Sequence, residues 1–237
     1  MPPRAIRADQ IYEQLRDRLT RGEIPIGRRL VEQQLAAQFR TSRTPVREAL
    51  KRLEADGHLT RDAGGGMRPR VPSVRAMRDL YDVRVAIEEL VVRRAAASGD
   101  RGVLEELEHE WTALGIEQRA GRLEPAGAAF VHRDESFHQR LAEAAANEFA
   151  VELLGEINDR IRILRIYDFT RSERIAATIE EHLEIVRAVL AGDSDTAAAF
   201  MRAHVQRSAN VVRERIGDAL TKMFDTPSTD GRSNGLA

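Results

Sequence analysis

Ser42-Arg43-Thr44-Pro45-Val46-Arg47-Glu48-Ala49-Leu50 is the stretch on which the reading of the N-terminal fold turns. Thr44 is a good N-cap, and Pro45 then falls at the first helical position, where its missing N–H costs nothing. Val46, Ala49, Leu50 and Leu53 form an apolar stripe that runs out near Gly57. Arg43, Arg47 and Lys51 recur every four residues away from that stripe. Upstream, a short helix carries Leu35, Ala36 and Phe39 on one face, separated from the first by a break at residues 40–42. Earlier still, Asp9 is the expected N-cap of a helix with Ile11, Leu15 and Leu19 on one side and a stop at Gly22, followed by a turn at Pro25 and Gly27. Downstream, residues 59–61 and 67–71 flank Gly64-Gly65-Gly66, which reads as a two-stranded wing with a glycine tip.

Two short helices, a tight turn and a β-wing describe a winged helix-turn-helix over residues 1–72, whose second helix enters the major groove. Arg43 and Arg47 are then candidates for bidentate contact with guanine, and Lys51 for a point charge near phosphate. Ser42, Thr44 and Gly65 at the wing tip complete the candidate DNA contacts. A basic helix face alone is commonly just solvated surface. Here the charge distribution adds weight: residues 1–72 hold 15 Lys and Arg against 9 Asp and Glu, while the remainder holds 22 against 29. The chain's net charge of −1 thus hides a +6 part joined to a −7 part.

The chain has 237 residues, enough for two small domains, and its 42% hydrophobic and 32% charged content predicts a folded protein. There is no apolar run long enough to span a bilayer, and the first residues lack the apolar segment of a secretory signal, so a cytoplasmic location with no membrane partner is expected. With no cysteine, any metal must be held by His, Asp or Glu.

From residue 73 to 222 the periodicity is helical throughout, predicting an all-α bundle with helices near 73–98, 101–120, 125–145, 148–168, 172–191 and 193–221. Residues 223–237, rich in Ser, Thr, Gly, Asn and Asp, read as a disordered tail. In this bundle the polar residues stand in unusual places. Asp134 and His138 share a face with Phe130, Phe137 and Leu141; His182 lies on the stripe of Ile179, Leu183, Val186 and Leu190; His204 lies with Met201, Val205, Ser208 and Val212. One core histidine is most often a hydrogen-bonded structural residue. Four such groups on three helices are a candidate site for Zn, Ni, Mn or Fe with coordination positions left open. His58, His109 and His132 stand outside this set, the last about 240° around its helix from His138. Arg84, on a face with Leu80, Ile87 and Val91, is an inward cation that needs a carboxylate partner. Arg165, in line with Leu154, Asn158 and Ile161, is a second. That carboxylate is either a ligand's or an internal one, such as Glu88 or Asp134.

The N-terminal residues, with Leu35-Ala36 and Leu53-Glu54-Ala55-Asp56-Gly57, closely resemble the DNA-binding signature of the GntR regulator superfamily, departing from it at Ile26 and His58. The C-terminal part resembles the FCD ligand-binding domain of the FadR/VanR branch. The matching residues are Leu80-Tyr81-Asp82-Val83-Arg84 with Ile87-Glu88, Asp134 with Phe137-His138 and Asn147, Glu181-His182 with Ile185, and Met201 with His204. The resemblance implies a divalent metal on Asp134, His138, His182 and His204, and a small carboxylate or sugar acid as effector; Arg84, Arg165 and Asn158, read from their helix stripes, are its candidate contacts. It implies a homodimer on double-stranded DNA with a palindromic operator, repressing until the effector binds. Two alternatives stay open: a regulator for which the metal is itself the signal, and a metal-dependent hydrolase. An enzyme has no need of a basic winged module, and no general base stands beside the candidate ligands.

Overall fold

The computed structural model describes residues 7–25, 27–62, 65–71, 73–123, 127–166, 169 and 171–225. Three helices open the chain: α1 (Ala8–Thr20), α2 (Glu32–Gln38) and α3 (Arg43–Ala55). Strands β1 (Leu59–Arg61) and β2 (Met67–Pro69) follow as an antiparallel pair with Thr60 opposite Arg68, and Leu30 bridges to Met67 along the outer edge. Ile11, Leu15, Val46, Ala49 and Leu53 are fully buried, which is what their helical spacing demands, and Leu59 and Met67 close the core from the wing side. Gly64, at the expected wing tip, lies outside the described residues, whereas Gly65 is exposed with φ +74°.

Two helix starts differ from expectation. The N-cap of α3 is Ser42, not Thr44, so Pro45 is the third helical residue. Any of the first four helical N–H groups lacks an intrahelical partner, so proline is tolerated there as readily as at the first position. The N-cap of α1 is Arg7 rather than Asp9, because Gln10 can reach back with its Oε1 to accept from the Arg7 N–H at 3.1 Å.

The second unit consists of α4 (Val74–Ser98), α5 (Arg101–Arg119), α6 (Gly127–Ala144), α7 (Glu148–Arg165), α8 (Ser172–Leu190) and α9 (Ser194–Asp225). The long α4 and α9 lie side by side, and α8 packs between α5 and α9. Trp111, Phe130, Phe137, Leu141, Ile161 and Val186 build a core separate from that of the N-terminal unit. Helix α9 runs on to Asp225, past the expected start of the tail at 223; residues 226–237 are outside the described residues.

The two units meet where α1 touches α7. Gly22 has φ +69°, and a Cβ there would lie 2.6 Å from Cδ1 of Ile166, so this turn requires glycine for both backbone and space. Beside the contact is a cleft of about 780 Å³ whose walls include His58, Arg70, Leu80 and Asp159.

Candidate metal centre and nucleic-acid interface

Helix α6 supplies Asp134 and His138 from adjacent turns of one face, α8 supplies His182 and α9 supplies His204. All four side chains are fully buried. One potential ligand atom from each lies within 4.8 Å of those of the other three. Nε2 of His182 is 3.3 Å from Nε2 of His204. Oδ1 of Asp134 is 3.6 Å from Nε2 of His182, and its Oδ2 is 3.6 Å from Nε2 of His138. The imidazole of His182 is fixed by packing: Phe137 stacks on it at 3.9 Å and 6°, and Trp111 meets it edge-on at 4.1 Å.

Two carboxylates orient the other rings. Nδ1 of His138 is hydrogen-bonded to Oε2 of Glu88, and Nδ1 of His204 to Oε2 of Glu181 at 2.6 Å. A carboxylate on Nδ1 leaves Nε2 as the free lone pair, the usual orientation of a metal-ligating histidine. Neither glutamate had this role in the sequence reading. The available signal was that Glu88 stands one turn after Arg84 on the buried stripe of α4, where an acid needs a partner on another helix.

The protonation states agree with ligation. Burial, reinforced by neighbouring imidazoles, holds His182 and His204 well below the ordinary histidine value, so both are neutral. Burial alone would raise Asp134 and Glu88, but the guanidinium of Arg165 beside the first and of Arg84 beside the second outweigh it. Asp134 therefore lies well below the usual carboxylate range and Glu88 at about 2. Among the described residues, Oδ1 of Asp134, Nε2 of His138 and Nδ1 of His182 are buried without a hydrogen-bond partner. Each such group costs on the order of 1 to 3 kcal/mol if it stays unsatisfied. Oδ1 of Asp134 and Nε2 of His138 each lie 3.6 Å from an atom of another candidate ligand, so the donor set fits a divalent cation of the borderline class.

The two inward arginines have partners inside the chain. Arg84 Nε donates to Oε1 of Glu88 at 2.5 Å, and Arg165 Nη2 donates to Oδ2 of Asp134 at 2.5 Å. Both are fully buried, yet Nη1 and Nη2 of Arg84 and Nε and Nη1 of Arg165 lack a partner among the described residues. The same is true of Oδ1 of buried Asn158. Internal pairing and spare donors thus coexist. Next to Asp134, Glu135 takes Arg162 Nε at 2.9 Å on both its oxygens, so two consecutive acids of α6 grip two arginines of α7.

In the N-terminal unit, Ser42, Arg43, Thr44, Arg47 and Lys51 are all exposed. Arg47 is held by Glu32 through two hydrogen bonds of 2.9 Å, and Arg43 reaches the same carboxylate at 3.5 Å. Glu32, at the start of α2, therefore presents the two guanidinium groups side by side on the solvent face of α3.

The chain matches two family models: "Bacterial regulatory proteins, gntR family" over residues 7–68 and "FCD domain" over residues 79–207. It is 35% identical over 209 residues to the Nta operon transcriptional regulator of Aminobacter aminovorans, covering 87% of this chain and 94% of that one. It is 27% identical over 205 residues to the HTH-type transcriptional repressor RspR of Escherichia coli strain K12, covering 86% and 88%. Among solved structures it resembles in fold E. coli McbR/YncC, with a TM-score of 0.67 at 21% identity, over 88% of this chain and 98% of that one. A putative GntR transcriptional regulator from Rhodococcus sp. RHA1 gives 0.64 at 24% identity, over 89% and 97%. The matched family and the curated relatives are transcription regulators and not enzymes, which disposes of the hydrolase alternative. The chain belongs to the GntR family of bacterial transcription regulators, with an FCD domain as its C-terminal unit.

Proposed function

We propose that this regulator is a cytoplasmic homodimer that places two copies of α3 in successive major grooves of a palindromic operator and represses until an effector binds. Arg43 and Arg47 read base edges, Ser42, Thr44 and Lys51 hold the backbone, and the wing around Gly65 follows the duplex. The name of the E. coli relative, a repressor, supports this mode. Asp134, His138, His182 and His204 hold a Zn, Ni or Mn ion, and Arg84, Arg165 and Asn158 take a small carboxylate or sugar acid. A bound ion supplies Lewis acidity toward the ligand's oxygens and a cross-link between helices. Carrying this reading is the coincidence, in one buried place, of a converging Asp–His₃ set and guanidinium groups with spare donors.

In a second reading the ion itself is the signal, and it is favoured by the Arg84–Glu88 and Arg165–Asp134 pairs, which bind both cations without an outside carboxylate. Selection from a randomised DNA pool, followed by titration of the selected site, tests both. An enriched inverted repeat whose affinity changes with carboxylates at fixed zinc supports the first reading. Affinity that follows free zinc alone supports the second, and a pool without enrichment overturns both.

A further inference from the structure

Behind the interface of α4 and α9 lies a feature that the DNA and metal readings leave unused. Near the start of α4, an open groove of about 570 Å³ runs between that helix and α9, and Arg75, Arg78 and Arg213 are on its rim. Its floor includes Met77 and Tyr81, both almost fully buried. Asp82 is a carboxylate in the same wall, and Asp79 lies 3.8 Å from Arg75 and 3.6 Å from Arg78, so the local balance is three positive charges against two. Val74, Gln206, Ala209 and Asn210 supply the remaining surface without charge.

Tyr81 separates this groove from the buried centre. Its hydroxyl is 3.1 Å from Oγ of Ser208, a link between α4 and α9 with both side chains buried. On its inner side the ring lies 5.8 Å from Cζ of Arg84. Arg84 is one turn further along α4 and pairs with Glu88, which in turn holds His138. Ser208 is one turn beyond His204 on α9, on the same buried stripe. Tyr81 thus both lines the groove and meets Arg84 of the buried centre, with Ser208 hydrogen-bonded to it.

We infer that the α4–α9 groove is the access route of an anionic ligand to the metal centre, with Arg75, Arg78 and Arg213 as its collecting rim and the Tyr81–Ser208 pair as its latch. The inference rests on the metal reading above. A basic mouth raises the local concentration of a carboxylate and its rate of capture, and the effect is screened by salt. Beside the Tyr81 ring, Nη1 and Nη2 of Arg84 are buried without a hydrogen-bond partner among the described residues. The ion-paired Nε anchors the side chain while the other two nitrogens remain to receive a carboxylate, the planar fork geometry that arginine offers and lysine lacks.

Full-length protein loaded with zinc provides the test, with two chelators of opposite character as probes: dipicolinate, a dianion, and 1,10-phenanthroline, which is neutral. Protein-bound zinc is measured at timed intervals after each is added. The Arg78→Gln/Arg213→Gln variant should lose zinc to dipicolinate about tenfold more slowly at low salt, with the difference closing at high salt, while its loss to phenanthroline stays within about twofold. Tyr81→Phe, which removes the latch hydroxyl and keeps the ring, should speed the loss to both probes. Equal slowing for both chelators, or none, in the charge variant overturns the route, as does an unchanged rate in Tyr81→Phe. If wild-type protein takes up no zinc, the metal reading falls and the route with it, and this is seen before any rate is measured.

Discussion

Oε2 of Glu181 lies 2.6 Å from Nδ1 of His204, on the opposite side of the imidazole from the Nε2 that faces His182. Glu181 also receives Arg207 Nε at 2.8 Å, so the ring of a core histidine is tied, through one carboxylate, to a half-exposed arginine on its own helix. The orientation of the histidine is thereby decided by residues that are not ligands.

Removing these orienting groups should weaken metal binding without abolishing it. Glu88→Gln and Glu181→Gln are each expected to lower zinc affinity 10- to 100-fold, the usual effect of losing an outer carboxylate on a ligating histidine. Competition titration against a zinc indicator gives the number, and unchanged affinity in both variants would place these glutamates outside the metal site.

Deleting the ligands is the stricter test. Zinc-reconstituted wild type should keep one ion per chain after dialysis against a mild chelator, and His138→Ala/His182→Ala should keep none by elemental analysis. Because the ion would join three helices, its removal from wild type should also lower Tm. Equal metal content in both proteins would return the four residues to ordinary core hydrogen bonding.

The metal-free protein should lose stability as pH falls below neutrality. His58, His182 and His204 are all lowered by burial, so an unfolded chain, with histidines near 6.5, takes up protons that the folded one resists. Their contribution is complete above about 6.5 and is lost as the pH drops toward their folded values. Asp134 and Glu88, also lowered in the fold, add a second loss below about pH 4. Glu181 is raised by burial and acts in the opposite sense, stabilising below about 4.3 and losing that contribution as the pH rises through its folded value. Urea midpoints at pH 7.5 and 5.5 check the balance: a higher midpoint at 5.5 would contradict it.

On the DNA side, Arg47→Ala should cost about 1 to 3 kcal/mol of specific operator binding and relax base preference, whereas Lys51→Ala should weaken all sequences alike. Glu32→Ala tests whether the carboxylate presents Arg47 or competes with DNA for it. Presentation predicts weaker specific binding and competition predicts stronger. Operator titrations at two salt concentrations separate these outcomes, and unchanged specificity in Arg47→Ala would remove α3 from base readout.

At the junction, Gly22→Ala should lower stability by about 1 to 2 kcal/mol from its positive φ alone. Displacement of Ile166 adds to that. Chemical denaturation of the two proteins side by side measures it; equal midpoints would mean that the turn relaxes at no cost.

Most of the architecture could be read from residue spacing, because amphipathic helices write their buried faces into the sequence: the stripes of α3, α6, α8 and α9 carry the expected buried residues. The four-residue convergence could be anticipated for the same reason, since a polar side chain on an apolar stripe must point inward. Spacing within one helix could not show which inward groups pair across helices. Arg84 and Arg165 were legible as buried cations, and Glu88 stands one turn from Arg84 on the same helix, but the choice of Asp134 for Arg165 depends on how α6 and α7 are stacked. Helix starts were misplaced where a side chain such as that of Gln10 competes for the cap, a local contest that propensity does not resolve.

The paired grip of Asp134 and Glu135 on Arg165 and Arg162 has a thermodynamic corollary. Helix α7 is fastened to the ligand-bearing α6 and also touches α1 of the reading head, so it belongs to both equilibria. Whatever free energy passes along it is symmetric: if filling the buried centre changes operator affinity by some factor, operator DNA must change affinity at the buried centre by that same factor. The promoter would then help to set the concentration at which its own regulator responds.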